Sequence, residues 1–141
     1  MFGRHHALEA AVGTRERSRL TAKELWRLLL IRPFDRAGWS AALGDDCHLR
    51  IGNRPPCLGK ACALSALEHL LGRVDSVGTG FRDTWEFREA IILETDLGVG
   101  CDRDRPPLII PCAVFARVTR DQVRDLRFYL DPSPIPSTGL H

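Results

Sequence analysis

The chain has 141 residues, 44% of them hydrophobic and 27% charged, a balance that fits one folded domain and excludes a disordered chain. That length cannot hold a TIM barrel or a two-half Rossmann domain, and no apolar run approaches the roughly 18–20 residues of a membrane span. With 20 basic against 18 acidic residues the net charge is +2, which argues against a nucleic-acid footprint, and no membrane partner is expected either.

Residues 1–17 are polar and basic without a period and read as a flexible N-terminal arm. They hold no sustained apolar segment, so no secretory signal is expected and a cytoplasmic location is. Thr21, with Glu24 three residues on, has the spacing of a capping box. Leu25, Trp26, Leu28, Leu29 and Leu30 add an apolar stripe, and Pro33 ends the helix they predict. Asp35 caps a short second helix through Trp39 to Leu43, closed by Gly44, with a turn at Asp45-Asp46. Cys47 to Ile51 alternates as a strand and is followed by a Gly52–Pro56 loop. The alanine- and leucine-rich run from Leu58 to Leu71 predicts a third helix stopped by Gly72. Strands are predicted at Val74–Arg88, Glu89–Val99, Leu108–Val118 and Val123–Asp131, with hairpin turns around Gly98–Pro107 and Thr119–Gln122. Pro132, Pro134 and Pro136 end the sheet, leaving residues 136–141 as a C-terminal tail.

Helices first and a meander of strands afterwards is an α+β order. Three helices cannot cover both faces of such a sheet. The economical solution is a cone-shaped barrel, a curved antiparallel (mixed) sheet wrapped around the three N-terminal helices. Its other face then meets solvent or a second subunit. The five cysteines, Cys47, Cys57, Cys62, Cys101 and Cys112, include no C-x-x-C pair, so neither a zinc site nor a redox motif is signalled, and free buried thiols are expected. No cofactor and no metal is expected.

Four stretches resemble the SnoaL-like (polyketide cyclase-like) branch of the nuclear transport factor 2-like superfamily. They are Ile51 to Lys60, Thr84-Trp85-Glu86-Phe87 with Ile91-Ile92-Leu93-Glu94, Pro111 to Arg117, and Leu126 to Pro134. The resemblance covers about residues 18–135, the expected SnoaL-like domain. It implies a cone-shaped fold, frequent dimers and very mixed functions, among them steroid isomerases, dehydratases, cyclases, epoxide hydrolases and non-catalytic binding domains. Fold alone therefore assigns no activity.

Strand alternation sorts the side chains. A cavity wall is expected from Leu49 and Ile51, from Trp85 and Phe87, from Thr95 and Leu97, and from Leu126, Phe128 and Leu130. Glu94, Asp96, Arg127 and Tyr129 fall on the opposite face and suit a polar dimer interface. Against the related epoxide hydrolases, the acid–arginine–acid and tyrosine–asparagine positions fall at Thr95, Leu97, Phe128, Leu49 and Ile51, none of which can ionise. Against the steroid isomerases, the base position falls near Arg50 to Ile51, and the only tyrosine, Tyr129, lies on the outer face. Of the cavity histidines and tyrosines of scytalone dehydratase-like members, the strand region offers only His48.

One acid, Asp83, sorts with the cavity set beside Trp85, where a raised pKa would suit it to acid–base work; the alternative is pairing with Arg82 or Arg88 at a solvated strand start. Two functions stay open. One is a cyclase, isomerase or dehydratase folding a polyketide- or terpenoid-like intermediate in an apolar cavity. The other is a non-catalytic domain that binds a small apolar molecule or serves as a dimeric accessory subunit.

Overall fold

Each helix begins where the chain supplies a cap. The Thr21 hydroxyl accepts a hydrogen bond from the Glu24 amide at 3.2 Å and opens α1 (Ala22–Leu30), which buries Leu25, Leu28 and Leu29. The Asp35 carboxylate accepts from the Gly38 amide at 2.9 Å and opens α2 (Arg36–Ala42). The Arg27 guanidinium reaches both Glu24, at 2.9 Å, and Asp35, at 3.2 Å, so one side chain ties the two helix starts together. The Gly38 N–H, aided by Arg27, holds the Asp35 carboxyl below its ordinary range.

The computed structural model describes residues 20–100 and 104–135; the expected N-terminal arm at 1–17 and the tail at 136–141 lie outside the described residues. Strand β1 (Leu43–Ile51) follows α2 directly. The turn expected at Asp45-Asp46 is instead strand. Between Leu43↔Val123 and His48↔Asp125 the pairing register shifts, so a bulge absorbs the Gly44-Asp45-Asp46 stretch. A second short strand, β2 (Cys57–Leu58), pairs antiparallel with β1, as His48↔Leu58 and Leu49↔Cys57. The third helix, α3 (Lys60–Gly72), therefore starts two residues later than its composition suggests. Gly59 makes the corner: its φ of +93° is one that side chains rarely adopt, and its N–H donates to the Cys47 carbonyl at 2.8 Å.

Four long strands complete the chain: β3 (Val74–Glu86), β4 (Ala90–Val99), β5 (Leu108–Thr119) and β6 (Gln122–Tyr129). Their order in the six-stranded sheet is β2-β1-β6-β5-β4-β3, with β1 and β6 parallel and every other pair antiparallel. The sheet is mixed and open, with β2 and β3 as its edges. The β5–β6 hairpin turns through Arg120 and Asp121, both at positive φ (56° and 65°), as in a two-residue type I′ turn.

All three helices lie on one face. α1 packs on β3 and β4, α2 on β1 and β6, and α3 on β1 and β3. This is the expected α+β cone. Its core joins Leu25 and Leu28 of α1, Trp39 of α2, and Leu67 and Leu70 of α3 to Leu49, Leu93, Val114 and Leu126 of the sheet, each at most 1% exposed. No helix among the described residues is long and apolar enough to cross a membrane.

Candidate functional site

The concave face is apolar in rows. Ile51, Phe128, Val114 and Leu93 sit opposite one another across β1, β6, β5 and β4, and so do Leu49, Leu126, Ala116 and Ile91. All eight are buried. Thr95 and Leu97 extend the face along β4 and are buried too, while Leu130, just beyond β6, is half-buried against the core. Thr95 carries the only buried hydroxyl among the described residues, and the indole N–H of Trp39 is buried as well. The helices press their leucines into these rows, so the residues expected to line a cavity contribute to the packed interior.

Strand β3 corrects the expected sorting. Val77 pairs with Leu97, yet the next pair is Arg82↔Thr95, so four residues of β3 bulge opposite one of β4. Gly78, at φ +77°, sits in this bulge, where a Cβ would meet the Arg82 side chain at 2.7 Å. An odd net insertion exchanges the two faces of a strand. Beyond it Arg82, Thr84 and Glu86 face inward, and Asp83, Trp85 and Phe87 face outward. The inward three hold α1: Trp26 Nε1 donates to Thr84 Oγ1 at 2.8 Å, the Ala22 amide donates to Glu86 Oε2 at 3.3 Å, and the Arg82 guanidinium lies 5.6 Å from the Trp26 ring centroid. Asp83 is exposed, accepts a hydrogen bond from the Thr84 amide at 3.0 Å, and stands opposite Glu94. This placement removes the grounds for Asp83 as an interior acid. Trp85 is half-buried and Phe87 is 55% exposed, so neither lines the interior.

The convex face carries the four residues expected there. Glu94, Arg127 and Tyr129 are exposed and Asp96 is half-buried. One cross-strand row reads Arg50, Arg127, Phe115, Ile92, Trp85, and the next Tyr129, Ala113, Glu94, Asp83. Arg50 thus neighbours Arg127 at one corner, and Asp83 neighbours Glu94 at another. Directly opposed like charges cost a sheet stability. Asp125, 3.1 Å from the Arg127 guanidinium, offsets part of the basic corner and raises the Arg127 pKa. His48 is exposed on this same face.

A concavity of about 380 Å³ opens at the end of the cone where α3 stops. Arg73, Val99, Gly100, Arg105, Pro106, Leu108, Pro134 and Ile135 line it. Its floor is held by the segment after β6, which was expected only to end the sheet. The Arg54 guanidinium donates to the carbonyls of Pro132 at 3.0 Å and Ile135 at 2.6 Å, and Ile135 is 2% exposed. Asp131 accepts from the Ser133 amide and hydroxyl, which closes the turn and holds the Asp131 carboxyl below its ordinary range. Two guanidinium side chains over a floor of valine, leucine, proline and isoleucine suit a molecule with an apolar body and an anionic end. The strand pattern carries no signal for this groove, because its residues come from a helix end, a hairpin and the segment after β6. Arg54 inside a Gly-Asn-Arg-Pro-Pro loop was the available signal.

No family model matches the chain, and no curated protein matches it in sequence. Solved structures do match in shape. A Catenulispora acidiphila protein with a ketosteroid isomerase-like fold superposes with a TM-score of 0.62 at 11% identity, over 86% of this chain and 95% of that one. The fold is that of the nuclear transport factor 2-like proteins. A Jannaschia sp. CCS1 protein, whose assignment as a SnoaL-like polyketide cyclase is itself provisional, matches with a TM-score of 0.62 at 12% identity over 84% of this chain and 91% of that one. A de novo designed protein with a curved β-sheet also matches, with a TM-score of 0.62 at 16% identity, over 81% of this chain and 90% of that one. The nuclear transport factor 2-like cone is thus shared by natural and designed chains, and the likeness carries architecture without an activity.

Proposed function

We propose that this chain is a non-catalytic, dimeric binding module that holds a small molecule with an apolar body and an anionic end in the groove between Arg73 and Arg105. The observation that carries the reading is the distribution of polar groups. Among the described residues the buried interior contains no carboxylate, histidine or tyrosine, whereas the groove pairs two cations with an apolar floor. Cyclisation, isomerisation or dehydration needs an acid or base in contact with the substrate. The cyclase-like wording of the strands is therefore accounted for by fold.

The dimer rests on the convex face. Its basic corner, Arg50 and Arg127, and its acidic corner, Asp83 and Glu94, are each unfavourable alone and complementary to each other. A twofold axis through the middle of the sheet would set each corner against its opposite on a second copy, with Phe115 and Ile92 between them.

Calorimetric titration with decanoate and with decan-1-ol tests the binding reading. Decanoate is expected to bind more tightly than the alcohol. The double variant R73A/R105A should weaken decanoate binding at least tenfold, because a hydrogen bond to a charged group contributes about 1.5–3 kcal/mol. Equal binding of both probes, indifferent to the two arginines, would overturn it.

A further inference from the structure

The wall of the groove is fastened from outside it. Pro134 and Ile135 line the groove, and they belong to the turn that follows β6. Pro132 and Pro134 carry no N–H, so this turn cannot extend the sheet as a donor at those positions. The Ser133 amide is bonded to Asp131, and the Ile135 amide donates to the Pro132 carbonyl at 2.8 Å. Both amides are thus used inside the turn, and its carbonyls need a donor from elsewhere. The β1–β2 loop supplies it. Half-buried Arg54 donates from one guanidinium nitrogen, Nη2, to the Pro132 carbonyl at 3.0 Å and to the Ile135 carbonyl at 2.6 Å. Gly52 lets the loop come this close. Its N–H donates to the Phe128 carbonyl at 2.8 Å, and a Cβ on it, at φ +57°, would stand 2.7 Å from Pro132 Cδ. Pro132 and Ile135 are both buried.

We propose that Arg54 is the positioning residue of the groove, a latch whose closure on Pro132 and Ile135 makes the wall that ligand binds against. The proposal rests on the binding reading above and adds how occupancy of that groove is controlled. Arg73 and Arg105 line the groove and can meet the anionic end of a ligand. Arg54 does not line it, and its bonds go to main-chain carbonyls. It therefore acts on the apolar wall and not on the anion. A ligand that binds only the closed groove and the latch must favour each other, because coupling between two equilibria is reciprocal. Apparent affinity scales with the fraction of molecules whose wall is seated, whatever the ligand's head group. Opening the latch therefore weakens a charged and an uncharged probe by the same factor, whereas loss of Arg73 and Arg105 changes their ratio.

Amide hydrogen exchange and calorimetry on the full chain test this together. R54M keeps an unbranched side chain but removes its donors. Without ligand, its Ile135 amide should exchange roughly tenfold faster than in wild type, while the Gly52 amide, bonded to Phe128, keeps its rate. R54M should also weaken decanoate and decan-1-ol by one common factor of about tenfold, leaving their ratio as in wild type. R54K, which keeps a charged donor, should recover most of both effects. In wild type, saturating decanoate should slow Ile135 exchange several-fold, a result that needs no variant to fold. Wild-type binding with Ile135 exchange and both affinities unchanged in R54M would overturn the latch and leave the binding reading standing. A decanoate-to-decanol ratio altered in R54M would place Arg54 on the anion and overturn the latch as well. A wild-type chain that binds neither probe would overturn both readings.

Discussion

The two faces of this sheet use the same strands for opposite ends. Alternate residues of β4, β5 and β6 put isoleucine, leucine, valine and phenylalanine against the helices and arginine, glutamate and tyrosine outside. The concave side is packed around one buried hydroxyl, Thr95. The convex side keeps half-buried aromatics and sets Arg50 beside Arg127 and Asp83 beside Glu94. A face that is all packing serves stability, and the charged face is the one on which the proposed dimer would form. The groove belongs to neither, being assembled where the strands end.

The largest effect should come from truncating the packed face. Leu93→Ala removes a fully buried side chain and should cost roughly 2–5 kcal/mol in urea unfolding. Ile92→Ala, its half-buried neighbour on the convex face, should cost only about 1 kcal/mol or less. Equal losses would erase the distinction between the faces.

The convex face is broken by charge. R50E/R127E should turn the proposed dimer into a monomer, read by sedimentation velocity, with the circular dichroism spectrum unchanged. Adding D83R/E94R reverses the acidic corner as well and should restore the dimer. A wild-type chain that is monomeric at high concentration would contradict this half of the comparison.

A smaller effect lies at the β5–β6 turn, which joins two strands and lies on neither face. Arg120 and Asp121 adopt positive φ without being glycine or asparagine. R120N/D121G supplies the residues this turn type prefers and should stabilise the fold by about 1 kcal/mol in the same urea assay. The smallest effect is electrostatic. The folded Asp35 carboxyl lies below its ordinary 3.8, so its contribution is fully present above that pH and is lost as pH falls through the lower folded value. Melting curves of wild type and D35N should differ at pH 6, and the difference should shrink as the pH falls below the ordinary carboxyl value of 3.8.

Much of this architecture is legible in the residue pattern. Thr21 and Asp35 announce their helices because a capping side chain acts within three residues, and β4 and β6 show their faces because each buries one side without interruption. The rest depends on contacts distant in sequence. Asp83, Trp85 and Phe87 look like an inward set until the bulge at Gly78 exchanges the faces of β3. Gly44-Asp45-Asp46 looks like a turn until β6 pairs alongside. Arg73, Arg105 and Ile135 line one groove from three separate parts of the sequence, with Arg54 holding the segment after β6 through the Pro132 and Ile135 carbonyls.

The proposed function requires ligand to bind at the end of the cone and not within it. Amide chemical-shift mapping on the ¹⁵N-labelled protein during a decanoate titration tests it most directly. Shifts should be confined to the groove, at Val99, Gly100, Arg105, Leu108 and Ile135. Shifts centred on Leu93, Val114 and Phe128 would place the ligand in the interior and contradict it.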